Sequence, residues 1–445
     1  MITTATRILV HSPNPDELSI LAQKLRDEGF RAIDALTPRD VLTASVDESP
    51  NIVIIDTDTS PRVGLTLVKE LKRRESTQHM PVFLIAGGRN AGLEREAMDA
   101  GADSFLAKPY GDTQFFSRLS LLSRLATMQE EISRRTQTAA KYGVTSSAMM
   151  PEPSAHPTDV SVLVLEEDGV AYSDVAAAFS DDYRIEQVHD IASAFEMLGR
   201  RDFDAVLVDI RSGSSGLLNF CVDLRKNSRF YNIPVMIVAN QDGVPDPDAV
   251  LESGATDILT RPFGEDQLRT RMEFLVRQQR YRLSMLGICR EARHIMTSDG
   301  LTGLYTHGFL LEHLTSQIAD AGRGPKNLTI GFFDVKGMET INAKYGYAAG
   351  DRLLRQIGGM IGGLARGEDL PARYGGEEFC VAMPDTPTDS AITAIHRIAG
   401  VVNQTEFAVF KINQPVRVHL KTGFATLVGK ETAESLVQRA RNMII

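Results

Sequence analysis

Cysteine is scarce. Cys221, Cys289 and Cys380 are the only three in 445 residues, far apart and without the short paired spacing of a zinc or redox site. Three cannot frame a disulfide scaffold, so reduced bystander thiols in a cytoplasm are expected. Long apolar runs are missing too: no stretch of 18 apolar residues occurs, and a membrane-spanning helix is not expected. The N-terminus lacks the basic and apolar blocks of a secretory leader and reaches strand-like Arg7-Ile8-Leu9-Val10 at once. Positive charge is in deficit, with 48 Lys and Arg against 58 Asp and Glu and a net charge of -10. That balance excludes general nucleic-acid binding, which needs a basic face, while leaving room for local basic sites. Glycine (35) and proline (19) stand near background, beside 43% hydrophobic and 24% charged residues. Collagen-like and disordered chains are excluded, and a folded, water-soluble protein is expected.

At about 100 to 200 residues per domain the length predicts two to four domains. Self-similarity narrows this. Asn51-Ile52-Val53-Ile54-Ile55-Asp56 is echoed by Asp204-Ala205-Val206-Leu207-Val208-Asp209. Position 209 minus position 56 gives an offset of 153 residues. At the same offset Pro81-Val82-Phe83-Leu84-Ile85-Ala86 returns as Pro234-Val235-Met236-Ile237-Val238-Ala239. Gly101 to Pro109 likewise returns as Gly254 to Pro262. Three matches at one offset indicate a duplicated domain.

In each copy, apolar runs of four to six residues alternate with helical-period stretches such as Asp16 to Gly29 and Leu65 to Arg74. This pattern predicts βα units around a buried parallel sheet, so each copy is expected to be a doubly wound α/β domain. Such sheets carry their chemistry at the carboxyl ends of the strands, where Asp56 and Asp209 fall, each ending a third strand. Tyr142 to Asp159, rich in Ser, Pro, Gly and Ala, reads as a linker. Beyond the second copy, Leu268, Met272, Leu275, Leu283 and Leu286 lie near seven-residue spacing on a helix running to about Met296. Either it joins and dimerises domains or it packs on its own sheet.

The strand-ending aspartate, the Lys-Pro after strand five and the duplicated unit resemble the receiver domains of two-component response regulators. The resemblance implies an acidic pair and the strand-three aspartate holding Mg²⁺, with phosphate accepted by the aspartate and read by a hydroxyl and a lysine. The first copy keeps the acceptor position at Asp56 and the lysine at Lys108, but has Ser12 and Pro13 at the acidic pair and Ala86 at the hydroxyl. The second keeps Glu166 and Glu167 as cation ligands and Asp209 as acceptor, but has Ala239 and Arg261 at the other positions. Asp56 and Asp209 are thus residual phosphorylation sites or remnants of a receiver used for docking.

From Asp299 the pattern changes. Asp299-Gly300-Leu301-Thr302-Gly303-Leu304-Tyr305 precedes a helix, a strand from Leu328 to Phe333 ends at Asp334, and a hairpin carries Arg373-Tyr374-Gly375-Gly376-Glu377-Glu378-Phe379. These resemble the GGDEF domain of diguanylate cyclases, an α+β fold that condenses two GTP into cyclic di-GMP at a dimer of domains. The resemblance implies Asp334 and Glu377 as Mg²⁺ ligands and Glu378 near the 3′-hydroxyl. It also implies Gly375 and Gly376 as room for the nucleotide, and Asn342 and Asp351 as readers of guanine.

The cations that family uses on phosphate are replaced. Asp334-Val335-Lys336-Gly337-Met338-Glu339 puts Glu339 where a phosphate-binding lysine belongs, a repulsion of about a kcal/mol or more at an effective dielectric near 20. Ala440-Arg441-Asn442-Met443-Ile444-Ile445 ends where the family's Lys- and Arg-bearing helix is under way, and Thr306-His307-Gly308 replaces an Asn-Arg-Arg motif. Because transition-state charge stabilisation dominates phosphoryl chemistry, a degenerate, catalytically silent domain is expected, with Glu378 vestigial.

A second constellation survives. Arg366-Gly367-Glu368-Asp369 lies nine residues before Gly375 and matches the family's RxxD inhibitory site for cyclic di-GMP. Arg366 would fork onto a phosphate or a guanine edge, Asp369 would accept from guanine N1 and N2, and Arg397 matches a secondary arginine.

The order is that of PleD-type cyclases, and it sets the expected boundaries. These are 1–141 for a first receiver with an extended last helix, 142–159 for the linker, 160–283 for a second receiver and 284–445 for a C-terminally short GGDEF domain. The expected function is a cyclic di-GMP receptor and scaffold, a homodimer that recruits protein partners through its receivers. A place at the cell pole and a part in cell-cycle-controlled proteolysis follow from the resemblance alone. The rivals are a weak or phosphorylation-gated cyclase and a GTP sensor using Asn342 and Asp351.

Overall fold

The computed structural model describes residues 6–57, 61–87, 91–143, 157–166, 175, 177–179, 182–211, 215–240, 247–291, 297–321, 327–409 and 415–444. Glu167 lies outside the described residues, as does most of the stretch read as a linker.

The first repeat runs β1 (Arg7–His11), α1 (Pro15–Asp27), β2 (Arg31–Ala35), α2 (Pro38–Asp47), β3 (Ile52–Asp56), α3 (Pro61–Arg73), β4 (Val82–Gly87), α4 (Ala91–Asp99), β5 (Ser104–Lys108) and α5 (Asp112–Lys141). Every residue of β3 is buried, as continuous Ile-Val runs require when helices cover both faces of a parallel sheet. Local chemistry starts the helices where the apolar runs stop. Asn14 caps α1 with Pro15 in its first turn, and Thr37 with Asp40 forms a capping box on α2.

The second repeat runs β6 (Val160–Glu166), β7 (Tyr183–Val188), α6 (Ile191–Arg200), β8 (Ala205–Ile210), α7 (Ser215–Lys226), β9 (Val235–Ala239), α8 (Pro247–Glu252), β10 (Asp257–Thr260) and α9 (Glu265–Glu291). The two sheets have orders β2-β1-β3-β4-β5 and β10-β9-β8-β6-β7, the same arrangement read from opposite edges. All their pairings are parallel, so the doubly wound reading holds in both copies.

The repeat also extends to polar staples that the apolar runs do not reveal. Lys72 donates to the carbonyl of Met80 at 2.9 Å, and Arg225, 153 residues later, donates to that of Ile233 at 2.8 Å. Asp103 accepts from Val82 N, and its counterpart Thr256 accepts from Val235 N. Gly101 and Gly254 share φ near +100°, and a Cβ on either would press against the stem of Lys72 or Arg225.

Leu268, Met272 and Leu275 of α9 are buried in the core beneath β6, β8 and β9, while Leu283 is exposed. The first half of this near-heptad helix therefore packs on its own sheet. Its other faces meet the first repeat: Arg277 pairs with Asp103 at 2.5 Å, Gln267 donates to Glu94 at 2.6 Å, and Gln278 donates to the Leu121 carbonyl at 2.7 Å. The repeats, 6–126 and 152–281, form one compact unit, and the end of α5 from Thr127 groups with the chain from Arg282 onward in another.

In that second unit the elements are β11 (Tyr305–Thr306), α10 (His307–Ala321), β12 (Leu328–Lys336), α11 (Met338–Tyr345), α12 (Tyr347–Leu364), β13 (Leu370–Gly375), β14 (Glu378–Pro384), α13 (Thr388–Gln404), β15 (His419–Thr426) and α14 (Ala433–Asn442). The sheet order is β11-β13-β14-β12-β15. It is mixed: β12 runs antiparallel to both neighbours, and β11 runs parallel to β13. The α+β expectation holds. Cys221 and Cys380 are buried thiols in separate cores, and burial pushes the Cys221 thiol up to about 11. Among the described residues no helix is long and apolar enough to cross a membrane.

Candidate functional site

Asp56 ends β3, and Asp209 is the next-to-last residue of β8, so both sit at the carboxyl edge where such sheets bind ligands. Their surroundings differ. Lys108 Nζ stands 2.9 Å from Asp56 and 3.0 Å from Glu17, a carboxylate on α1 that the sequence reading missed. The Lys108 hydrogen bond holds the Glu17 carboxyl below its usual range. Glu17 lies in the first turn of α1 and shares Lys108 with Asp56.

In the second copy Arg261 forks onto Asp209, with Nη1 and Nη2 each 2.8 Å from a carboxylate oxygen. Arg211 Nε approaches the same carboxylate at 3.6 Å, and the Asp209 side chain is fully buried. A bidentate guanidinium fills both oxygens that a phosphoryl group or Mg²⁺ would need. Glu166 is buried and accepts from Gln187, with His189 at 3.8 Å.

In the C-terminal unit the glycine hairpin is held from outside. Arg373 donates to the Gly376 carbonyl at 2.7 Å and pairs with Asp299 at 3.2 Å. Asp299 in turn caps the Thr302 turn. The Asp-Gly-Leu-Thr-Gly-Leu run therefore positions the hairpin. Gly376 has φ of +52°, which favours glycine at the tip.

Asp334 and Glu378 are register partners on β12 and β14, and the Glu377 carbonyl accepts from Val335 N at 3.2 Å. The carboxylates implied for metal and 3′-hydroxyl are thus brought together, but each of two has an internal cation. Lys336 pairs with Asp334, and this hydrogen bond raises the Lys336 ammonium, with further pull from Glu377 and Glu378. Arg441 pairs with Glu378 at 2.8 Å and Arg439 with Glu431 at 2.6 Å, so both arginines of the last helix turn to carboxylates. Among the described residues no group of three metal-ligating side chains forms. The Lys336 ammonium, half exposed, occupies the Asp334 carboxylate in this structure.

On the guanine side, Asn342 lies on α11 and Asp351 on α12. The Asn342 Oδ1 is buried without a hydrogen-bond partner among the described residues. It faces Gly350, where a Cβ would come within 2.0 Å.

Arg366 and Arg397 lie near enough to Asp369 for their charges to act on its carboxyl. The Arg366 backbone N–H donates to Asp369 Oδ2 at 2.7 Å, and Arg397, on α13, donates to the Leu364 carbonyl at 3.1 Å. Burial and the neighbouring Glu368 push the Asp369 carboxyl up to about 6, against the pull of Arg366 and Arg397. What spacing did not reveal is depth. Asp369 is 3% exposed.

The family description "Response regulator receiver domain" matches residues 8–120 and 162–273, and "Diguanylate cyclase, GGDEF domain" matches residues 296–445. Response regulator PleD of Caulobacter vibrioides (strain NA1000 / CB15N) is 27% identical over 437 residues, covering 98% of this chain and 95% of PleD. Diguanylate cyclase A of Treponema denticola is 33% identical over 149 residues, 32% of this chain and 39% of that protein. The crystal structure of the GGDEF domain of DgcB from Caulobacter crescentus in complex with c-di-GMP covers 34% of this chain and 88% of its own, at 26% identity and TM-score 0.33. The receiver matches take in just over half of the chain, which therefore belongs to the response regulators, with two receiver domains in tandem ahead of a GGDEF domain.

Proposed function

We propose that this chain is a cyclic di-GMP receptor and scaffold whose GGDEF domain binds the dinucleotide without making it. The observation that carries the reading is the contrast between two clusters in one domain. At the hairpin, Lys336 and Arg441 neutralise Asp334 and Glu378, and Glu339 stands exposed where a phosphate-binding cation is needed. Phosphoryl transfer between two triphosphates depends on cations facing the developing charge, and here the cations face the protein's own carboxylates. At the turn, Arg366 and Arg397 act electrostatically on the Asp369 carboxylate, which could accept from the N1 and N2 edge of guanine. In this combination the chain resembles PopA, the catalytically silent relative of PleD-type cyclases. That resemblance extends the proposal to a homodimer at the cell pole that recruits partners for cell-cycle-controlled proteolysis. In the receivers, Asp209 acts as a structural ion-pair partner, and Asp56 with Lys108 keeps the geometry of an acceptor.

The test is calorimetric titration of the purified chain with cyclic di-GMP, wild type against Arg366→Ala, beside incubation with GTP and Mg²⁺. Saturable binding lost in Arg366→Ala, with no cyclic product, is expected. Accumulation of product that Glu377→Ala abolishes would establish the rival, a weak cyclase.

A further inference from the structure

The buried turn at Asp369 raises the question of how a dinucleotide reaches it. We propose that the last turns of α5 mask the cyclic di-GMP site, so that ligand binding and docking of residues 127–141 exclude one another. This rests on the receptor reading above.

Arg135 is 2% exposed, and its Nη2 donates to the carbonyls of Glu368 and Asp369 at 2.6 and 2.8 Å. The clamp therefore holds the backbone of the ligand motif itself. One helical turn earlier, Glu131 is fully buried. It lies 3.0 Å from His313 Nε2 and accepts from Gln317 at 2.8 Å, both on α10. Met128, three residues before Glu131 on α5, covers the turn together with Arg282 of α9, because a Cβ on Gly367 would meet Met128 Sδ at 3.2 Å and Arg282 Cβ at 3.1 Å.

The carboxylate beneath is only half used. Asp369 Oδ2 takes the Arg366 N–H, while Oδ1 is buried with no hydrogen-bond partner among the described residues. A buried carboxylate oxygen left unmade is costly, and a guanine edge would satisfy it. No base can approach while Gly367 to Asp369 lie under α5. Binding must then draw on the undocked fraction of molecules, and the apparent affinity is reduced by that fraction. Weakening the α5 contacts raises the fraction, and the affinity with it.

The full chain is titrated with cyclic di-GMP as wild type, Arg135→Ala and Arg135→Lys, and hydrogen exchange is followed over residues 127–141. Arg135→Ala is expected to bind roughly 10-fold or more tightly than wild type, Arg135→Lys to fall between them, and ligand to speed exchange in 127–141 of the wild type. Should Arg135→Ala fail to fold, Arg135→Lys and the exchange measurement carry the test. Equal or weaker binding by the Arg135 variants, or slower exchange on adding ligand, overturns the masking while leaving the receptor reading intact. Absence of binding in every variant overturns both.

Discussion

A cation paired with a carboxylate occupies it, and this chain places one at three motif positions. Arg261 takes Asp209, Lys336 takes Asp334 and Arg441 takes Glu378. The pairs differ in worth. Those at Lys336 and Arg441 are partly exposed and contribute little to stability, whereas the Arg261 fork is buried. Removing one partner of a buried pair leaves an uncompensated charge. Asp209→Ala is therefore expected to cost about 3–5 kcal/mol of unfolding free energy, and the apolar double replacement Asp209→Leu with Arg261→Met to recover most of it. Urea denaturation of the two variants checks this. Asp209, Asp334 and Glu378 were legible in the sequence because each sits at a fixed place in a motif. That Arg261 and Arg441 would turn onto them was not, because 52 and 63 residues of chain lie between the partners.

Among the elements, α9 shows how far periodicity reaches. Leu268, Met272 and Leu275 mark one buried face correctly, but the same spacing fits a dimer seam, and only the neighbouring sheet decides which is built. The receiver–receiver contact lies on faces without such a signal. Its centre is Asp103, which faces Lys72 at 2.8 Å, Arg277 at 2.5 Å and Val82 N at 2.8 Å. Burial alone would raise the Asp103 carboxyl. Lys72 and Arg277, with hydrogen bonds from Lys72 and Val82 N, outweigh it and hold the group below its ordinary value. A carboxyl depressed in the folded state contributes stability above its unfolded pKa, near 3.8, and loses it as pH falls toward the folded value. Asp103→Ala strands two cations and a backbone donor. It should destabilise the receiver unit by about 3–5 kcal/mol at neutral pH, and the difference from wild type should shrink in denaturation below pH 4. Arg277 lies 174 residues from Asp103, a separation at which no local pattern speaks.

For the whole molecule, two compact units predict two cooperative unfolding transitions in calorimetry, and His313 separates their response to acid. Burial lowers the His313 imidazole, against the pull of Glu131. With the folded pKa below 6.5, the unfolded chain takes up the proton first, and stability is lost as pH falls from about 6.5 toward the folded value. The transition of the C-terminal unit should move to lower temperature between pH 7 and 5.5, and His313→Gln should flatten that part of the dependence. The sequence by itself determined the duplication, the order of three domains and the positions of the Gly375–Gly376 hairpin and the Arg366–Asp369 turn. These are written in contiguous residues, as periodicity, strand-ending aspartates and glycine turns that act over a few positions. Tertiary structure alone decided which cations neutralise which carboxylates and that the Arg366–Asp369 turn lies buried beneath Arg135. Charge compensation and burial depend on neighbours that folding brings together from up to 234 residues away.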